Sequence, residues 1–182
     1  MSHIRFSAHQ TDGIANLWHR PLQEKDISAI CGFPATPEEL FFAWHGAAWP
    51  LTPAEMGRLL PLRVDPTTFL LDEKPVGFAA LGSFKPGESC GLGSVMVAAD
   101  CRGHGVGRYL LRVMVDRALL HHQLPHMDIY CYAHNTRGLL LYAGAGVKPW
   151  RIEPRAAPDG ARVALVIFRL HATEWLARRT AA

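Results

Sequence analysis

Two hydrophobic rhythms dominate the second half of the chain. From Val106 to His121 the apolar residues Val106, Leu110, Val113, Met114 and Ala118 recur at three- and four-residue spacing, which predicts an amphipathic helix. From Ala161 to Leu170 the apolar side chains fall on both faces, Val163, Leu165 and Ile167 against Ala164, Val166 and Phe168, which predicts a strand. Between them, Met127-Asp128-Ile129-Tyr130-Cys131-Tyr132-Ala133 reads as a strand that is apolar on both faces. A strand reached from its predecessor through a crossover helix lies parallel to it and inside the sheet. Asn135-Thr136-Arg137 then opens a helix over about 136–144, stopped by Gly144 and Gly146. Val147 to Glu153 is strand-like, and Pro154 to Gly160 reads as a turn-rich loop.

The first half is punctuated by helix starts. Leu17 to Leu22 is a short strand, and Glu24-Lys25-Asp26 opens a short helix that Gly32 and Pro34 end. Thr36-Pro37-Glu38-Glu39 combines an N-cap threonine, proline at the first helical position and a glutamate at the third. Thr52-Pro53-Ala54-Glu55 repeats that signature. Thr67 to Leu71 and Pro75 to Gly82, joined by Asp72-Glu73-Lys74, read as a hairpin. Lys85-Pro86-Gly87-Glu88 turns into a third strand, Cys90 to Val97. The predicted order is β-α-α-β-β-β-α-β-α-β-β, an α/β chain of the α+β kind with a mixed sheet and one right-handed crossover at its centre. Residues 1–16 form an N-terminal extension, 17–170 the domain, and 171–182 a C-terminal tail that Trp175 and Leu176 make amphipathic if helical.

Composition narrows this without redirecting it. A chain of 182 residues, 49% hydrophobic and 19% charged, is an ordinary globular domain. A net charge of +3 is too small to point to nucleic acid, yet it suits a small anionic ligand. The cysteines at 31, 90, 101 and 131 form no Cys-x-x-Cys pair and no zinc-like spacing, so they read as free thiols in a reducing compartment, with no metal site. No apolar run approaches the ~18 residues of a membrane span. The N-terminus lacks the apolar stretch of a signal peptide, and cytoplasmic location is the expectation. His121, His122 and His126 cluster at the end of the long helix, where favourable placement against the helix dipole explains them without a metal.

The chemistry concentrates at Arg102-Gly103-His104-Gly105-Val106-Gly107-Arg108, between the third strand and the long helix. A strand, a glycine turn and a helix start aim unpaired backbone N–H groups and the positive end of the helix dipole at one point. An anion, most often a phosphate, binds there. Glycine lets the ligand approach the backbone and permits φ > 0. No Gly-Lys-Ser/Thr comes next for a nucleoside triphosphate, and the register of a dinucleotide fingerprint is missing.

This stretch resembles the signature of the GNAT superfamily of acyl-CoA-dependent N-acetyltransferases, Arg/Gln-x-x-Gly-x-Gly/Ala after a strand. A second block of that superfamily matches too: Asn135 ending the next strand, Leu141-Tyr142 in the helix after it, then Gly146. The resemblance covers roughly residues 17–170 and implies a GNAT-like mixed sheet whose central parallel strands splay apart. It implies acetyl-CoA as cofactor. The main chain of Val95, Met96 and Val97 would take the pantetheine arm, with Gly91 and Gly93 relaxing the strand. The N–H groups of Arg102, Gly103, His104, Gly105, Val106, Gly107 and Arg108 would take the pyrophosphate, with the Arg108 and Arg112 side chains in reach of phosphate. Asn135 would hydrogen-bond the arm, and Tyr142 stands where relatives keep the general acid.

Many relatives carry a carboxylate base about ten residues before the signature arginine. This chain has Gly91-Leu92-Gly93 there. Glu88 is the nearest candidate base, with Glu73 and His45 behind it, and several relatives manage through ordered water. The resemblance therefore implies direct acetyl transfer from acetyl-CoA to a primary amine of a small molecule or peptide. The other class it leaves open is a non-catalytic acyl-CoA sensor, for which the missing strand carboxylate is the support. The partners expected are that amine, with no nucleic acid and no membrane. Many relatives are dimers, so a homodimer stays open. The acceptor would be chosen by residues 31–62 and 147–170. Trp44 and Trp49 flank an irregular connection there, and indole faces attract ammonium groups.

Overall fold

The computed structural model describes residues 14–180, so the expectations for residues 1–13 of the extension and for residues 181–182 lie outside the described residues. In chain order the elements are β1 (Leu17–Pro21), α1 (Ile27–Cys31), α2 (Pro37–Ala43), α3 (Pro53–Leu59), β2 (Val64–Leu71), β3 (Lys74–Lys85), β4 (Ser89–Val97), α4 (Val106–Asp116), β5 (His126–Tyr132), α5 (Thr136–Gly144), β6 (Lys148–Ala156), β7 (Arg162–His171) and α6 (Ala172–Thr180). Hydrogen bonding orders the seven strands β1-β2-β3-β4-β5-β7-β6. β4 and β5 are the parallel pair, joined through α4, and β5 is interior as its two apolar faces require. The mixed class read from the pattern is the one the chain adopts.

The chain forms two compact units, one holding the residues up to Gly82 with Gly93–Met114, the other Ser83–Leu92 with the residues from Val115 on. In the first unit β1 and β2 pair antiparallel from Leu17↔Leu71 to Pro21↔Thr67. The threonine caps act as their spacing predicts. Thr36 Oγ1 accepts from the N–H of Glu39 at 3.2 Å, and Thr52 Oγ1 from that of Glu55 at 3.1 Å. The reciprocal carboxylate bonds reach past the caps, Glu39 accepting from Ala35 N–H at 2.8 Å and Glu55 from Ala48 N–H at 3.0 Å.

α1, α2 and α3 bury Ile30, Leu40, Met56 and Leu59 against Phe78, Ala80 and Met96 of the strands. Trp44 is part of that core and stacks on Phe78 with ring centroids 6.3 Å apart. Trp49 is exposed instead, so the two indoles flanking the irregular connection have different environments. Burying each large apolar side chain contributes about 2 kcal/mol.

A buried ion pair locks β1 to the turn that leads into α1. The Arg20 guanidinium grips Asp26 with two bonds of 2.5 and 2.8 Å, and Asp26 also accepts from Gln23 N–H and Thr68 Oγ1. Burial pushes the Asp26 carboxyl up, but these donors outweigh it and hold the group below its ordinary range.

In the second unit β5, β7 and β6 pair antiparallel. β6 runs on to Ala156, where the sequence suggested a loop from Pro154. It is the last strand of the sheet, and an edge strand tolerates Pro149 and Pro154 because their missing N–H groups need no partner. The predicted long helix likewise ends differently. Arg117–His121 widens into a π-helical turn, with His122 N–H bonding Arg117 C=O at 2.9 Å. The tail is helical over its described residues. In α6, Trp175 Nε1 and Arg179 both donate to Asp116, at 2.7 and 2.6 Å, and Arg178 donates to the carbonyls of Ala145 and Gly146 just past α5. That guanidinium satisfies groups a helix C-terminus leaves unpaired.

Candidate functional site

The first group of site residues lies in the first unit. β4 ends at Val97, a 3-10 turn spans Ala99–Cys101, and α4 begins at Val106. Gly103 and Gly105 have φ of +79° and +90°, so the turn between strand and helix requires glycine at both positions. Gly107 is already inside α4. Among the described residues, the chain neighbours of Gly103 aside, no heavy atom lies within 4 Å of where a Cβ on Gly103 would stand. A Cβ on Gly105 would meet Ile14 Cδ1 at 3.0 Å. Gly105 has no side chain with which to cap α4, so the N–H groups of the helix's first turn have no local side-chain acceptor from that position. The turn thus has the features of an anion cradle: glycine-only backbone, a helix start, and exposed Gly103, His104 and Arg108.

The side chain of Arg102 does something else. Its Nε donates to Val97 C=O at 3.0 Å, its two terminal nitrogens grip Glu39 at 2.6 and 2.9 Å, and one also donates to Phe33 C=O at 3.1 Å. It staples the end of β4 to the start of α2, and only its main-chain N–H remains a candidate ligand group. Arg112 stands over the Tyr109 ring, its guanidinium carbon 5.7 Å from the centroid. Tyr109 is fully buried, its hydroxyl 2.8 Å from His19 Nδ1, and burial raises its pKa to about 12. Both side chains lie on α4.

Of the three residues expected to hold the arm, Met96 is buried while Val95 and Val97 are half-buried. The residue before them, Ser94, is buried with φ of +53°. The irregularity of β4 therefore sits on Ser94 rather than on Gly93, whose φ lies outside the left-handed region.

Asn135, Tyr142 and Glu88 belong to the second unit. Asn135 is the N-cap of α5: its Oδ1 accepts from Gly138 N–H at 3.0 Å. Its amide nitrogen donates to no side chain or carbonyl among the described residues, so the cap occupies only one end of the side chain. Gly138 is required by closeness rather than by φ. A Cβ there would stand 2.8 Å from both Asn135 Nδ2 and Cys131 Sγ. Cys131 is buried, and burial raises its thiol pKa to about 12, so it stays a protonated packing group.

Tyr142 is 5% exposed, its ring 5.7 Å from that of Phe168. Burial, with a smaller push from Cys131, raises its hydroxyl far above the ordinary tyrosine range. Gly146, with φ of +70°, ends the helix as its sequence position predicts. Glu88 sits in the β3–β4 turn, 71% exposed, 4.0 Å from Lys85. The structure places it on a solvated turn. Glu73 and His45 are exposed as well. Among the described residues no group of three His, Cys, Asp or Glu side chains is placed to hold a metal, and no helix is long and apolar enough to cross a membrane.

Two features of the first unit escaped the sequence reading. One is the Ser94 kink. The other is Arg63, which donates from Nε to Ser94 Oγ at 3.2 Å. No local pattern marks one arginine among 19 lysines and arginines as special.

Comparison with known proteins agrees with this geometry. Residues 27–146 match the family described as Acetyltransferase (GNAT) family. An N-acetyltransferase from Staphylococcus aureus Mu50 superposes with a TM-score of 0.68 at 19% identity, over 87% of this chain and 99% of that one. The ribosomal-protein-S18-alanine N-acetyltransferase from Escherichia coli gives 0.65 at 20%, over 86% and 94%. The yncA protein from Salmonella typhimurium, solved with its cofactor acetyl-CoA, gives 0.65 at 18%, over 86% and 94%. At such identities the likeness is one of fold. No curated protein sequence matches the chain.

Proposed function

The chain belongs to the acetyltransferase (GNAT) family, and on that premise we propose that it transfers an acetyl group from acetyl-CoA to a primary amine of a small molecule or peptide, directly in a ternary complex. The observation that carries this reading is the turn at Gly103 and Gly105, whose positive φ values, with open space over Gly103, fit a pyrophosphate held by backbone N–H groups. The N–H groups of residues 102–108 hold the pyrophosphate, and the main chain of Val95, Met96 and Val97 holds the arm. Asn135 adds its Nδ2 to the arm while Oδ1 stays on the helix cap. Bound acetyl-CoA supplies an activated carbonyl and a thiol leaving group.

The residues of the chain then have three tasks. Main-chain N–H groups of β4 stabilise the oxygen on which negative charge develops. Tyr142, protonated throughout the physiological range because it is buried, presents its O–H to the departing sulfur. Its high pKa makes it a hydrogen-bond donor first and a proton donor only as the attacking nitrogen gives up its own proton. Glu88, exposed on its turn, receives that proton or passes it to water. Holding amine and thioester together supplies much of the acceleration. The four cysteines are free thiols, which fits the reducing cytoplasm proposed as the location.

Thiol release from acetyl-CoA with a panel of amino acids, polyamines, aminoglycosides and peptides tests the proposal. Turnover is expected with at least one amine. In Tyr142→Phe it falls by about a hundredfold while acetyl-CoA binding persists. Tight acetyl-CoA binding with no turnover on any amine would instead favour the acyl-CoA sensor, the reading that Gly91-Leu92-Gly93 supports by offering no strand carboxylate.

A further inference from the structure

Arg63 stands at the entry to β2, directly after the short 3-10 turn Leu60–Leu62. It is half-buried, and its contacts are few for a group with five donors. Nε donates to Ser94 Oγ at 3.2 Å, one terminal nitrogen donates to the carbonyl of Leu62 at 3.2 Å, and the guanidinium lies over buried Trp44, 5.2 Å from the ring centroid. Among the described residues no carboxylate pairs with it. The other half-buried or buried arginines that grip a carboxylate do so through two nitrogens, as Arg20 does with Asp26 and Arg102 with Glu39. Burial pushes the Arg63 pKa down with no anion to hold it up. A partly desolvated cation without a counter-charge is costly, and chains keep one where a ligand supplies the charge.

The place is as telling as the missing partner. Ser94 immediately precedes Val95, the first residue of the segment proposed to hold the pantetheine arm. Two glycines flank the guanidinium: a Cβ on Gly82 would stand 3.5 Å from one terminal nitrogen, and one on Gly93 would stand 3.8 Å from Nε. A Cβ at either position would be in ordinary van der Waals contact with the guanidinium, so both glycines border it. Stacking on Trp44 and the bond to Ser94 fix the plane of the guanidinium, and a fixed planar fork is what recognises an oxyacid by two parallel bonds.

We propose that Arg63 is a specificity-determining residue, and that the acceptor is an amine that also carries an anionic oxyacid group, a carboxylate or a phosphonate, held by the Arg63 fork beside β4. The inference rests on the acetyl-transfer reading above and refines its acceptor class from any primary amine to anionic amines such as amino acids.

Thiol-release kinetics on matched acceptors tests it: amino acids, their carboxamides, the corresponding aminophosphonates, and diamines of similar length. The readout is the ratio of kcat/KM for each charged acceptor to that for its neutral carboxamide. The ratio is expected to exceed about tenfold for carboxylate or phosphonate, and the larger of the two names the anion. Arg63→Gln is expected to lower that ratio by about ten- to a hundredfold, Arg63→Lys to restore part of it, and Arg63→Glu to shift preference to diamines. Arg58→Gln, which removes an exposed guanidinium paired with Glu55, serves as the comparison variant and leaves the ratio in place. Circular dichroism and calorimetric acetyl-CoA affinity accompany every variant. Wild-type protein that binds and turns over acetyl-CoA but treats acid and carboxamide alike overturns the Arg63 assignment alone. So does a folded Arg63→Gln with an unchanged ratio. Wild-type protein that does not bind acetyl-CoA overturns the acetyl-transfer reading and the inference with it.

Discussion

The chain passes from strand to helix twice in its family-matched segment, and the two junctions solve the same problem in opposite ways. Each must deal with the N–H groups that a helix start leaves unpaired. At β5–α5 the chain uses its own side chain, with Asn135 Oδ1 accepting from Gly138 N–H. At β4–α4 it places Gly105, which has no side chain to cap with, and in the proposed reading the helix's first N–H groups go to the pyrophosphate. The glycines differ accordingly. Gly103 and Gly105 are there for positive φ, and Gly138 for closeness to Asn135 and Cys131. A junction capped by its own side chain serves as a structural joint, and one that opens on positive-φ glycine serves, in the proposed reading, as a binding site.

The strongest way to break this contrast is Gly105→Glu. A side chain at φ of +90° costs about 1–2 kcal/mol, and its carboxylate would repel the pyrophosphate. Acetyl-CoA affinity measured by calorimetry is expected to fall by about a hundredfold or more, roughly 2.8 kcal/mol. Unchanged affinity would remove the cradle from the account. Next is Gly138→Ala, whose methyl would enter a space held by Cys131 Sγ and Asn135 Nδ2 at 2.8 Å. Urea denaturation is expected to show a loss of about 2 kcal/mol, of which adding Cys131→Ala recovers a substantial part. A double variant no more stable than Gly138→Ala would show that the sulfur is not what crowds the site.

A smaller effect separates the two ends of one side chain. Asn135→Ala is expected to cost about 1 kcal/mol of stability through the lost cap. Asn135→Ser keeps a capping oxygen and most of that stability, yet both lose the Nδ2 donor and bind acetyl-CoA about tenfold more weakly. Wild-type affinity in Asn135→Ser would confine Asn135 to its cap.

The mildest test contrasts the units through acid. Burial first, then the charge of Arg169, lowers the pKa of His126 at the head of β5. A depressed pKa means stability that is complete above the ordinary 6.5 and is lost as pH falls through the folded value. Asp26 in the first unit is also depressed, but from 3.8, so its contribution survives until far more acid conditions. Hydrogen-exchange protection factors are therefore expected to drop around β5 and β7 as pH falls below about 6.5, while those around Asp26 hold. Loss of protection around Asp26 in the same window would contradict that order.

The elements that sequence made legible are those with local rules. Thr36 and Thr52 announce helices because a cap, a proline and a glutamate act within four residues. Gly103 and Gly105 announce a turn because only glycine adopts it freely. What stayed hidden depends on residues far apart in the chain. β6 runs through Pro154 because it ends the sheet, a fact of topology. β4 bends at Ser94, a residue type that seldom marks a positive φ. Glu88 came forward as nearest to an expected carboxylate in sequence, and the turn it occupies gives it to solvent. Arg63 carries no motif, since what sets it apart is the lack, among the described residues, of a carboxylate partner, which no window of sequence displays.

The grip of Arg102 has a consequence for how this stretch tolerates substitution. Four hydrogen bonds leave one side chain for three residues, Phe33, Glu39 and Val97, in three directions. Lysine has a single nitrogen at the end of its stem and cannot span them. In a saturation library scored for folded protein, position 102 should admit arginine almost alone, whereas exposed His104, two residues on, should admit nearly every residue. The most invariant side chain of the turn would then be one kept by folding, with ligand recognition left to the backbone around it.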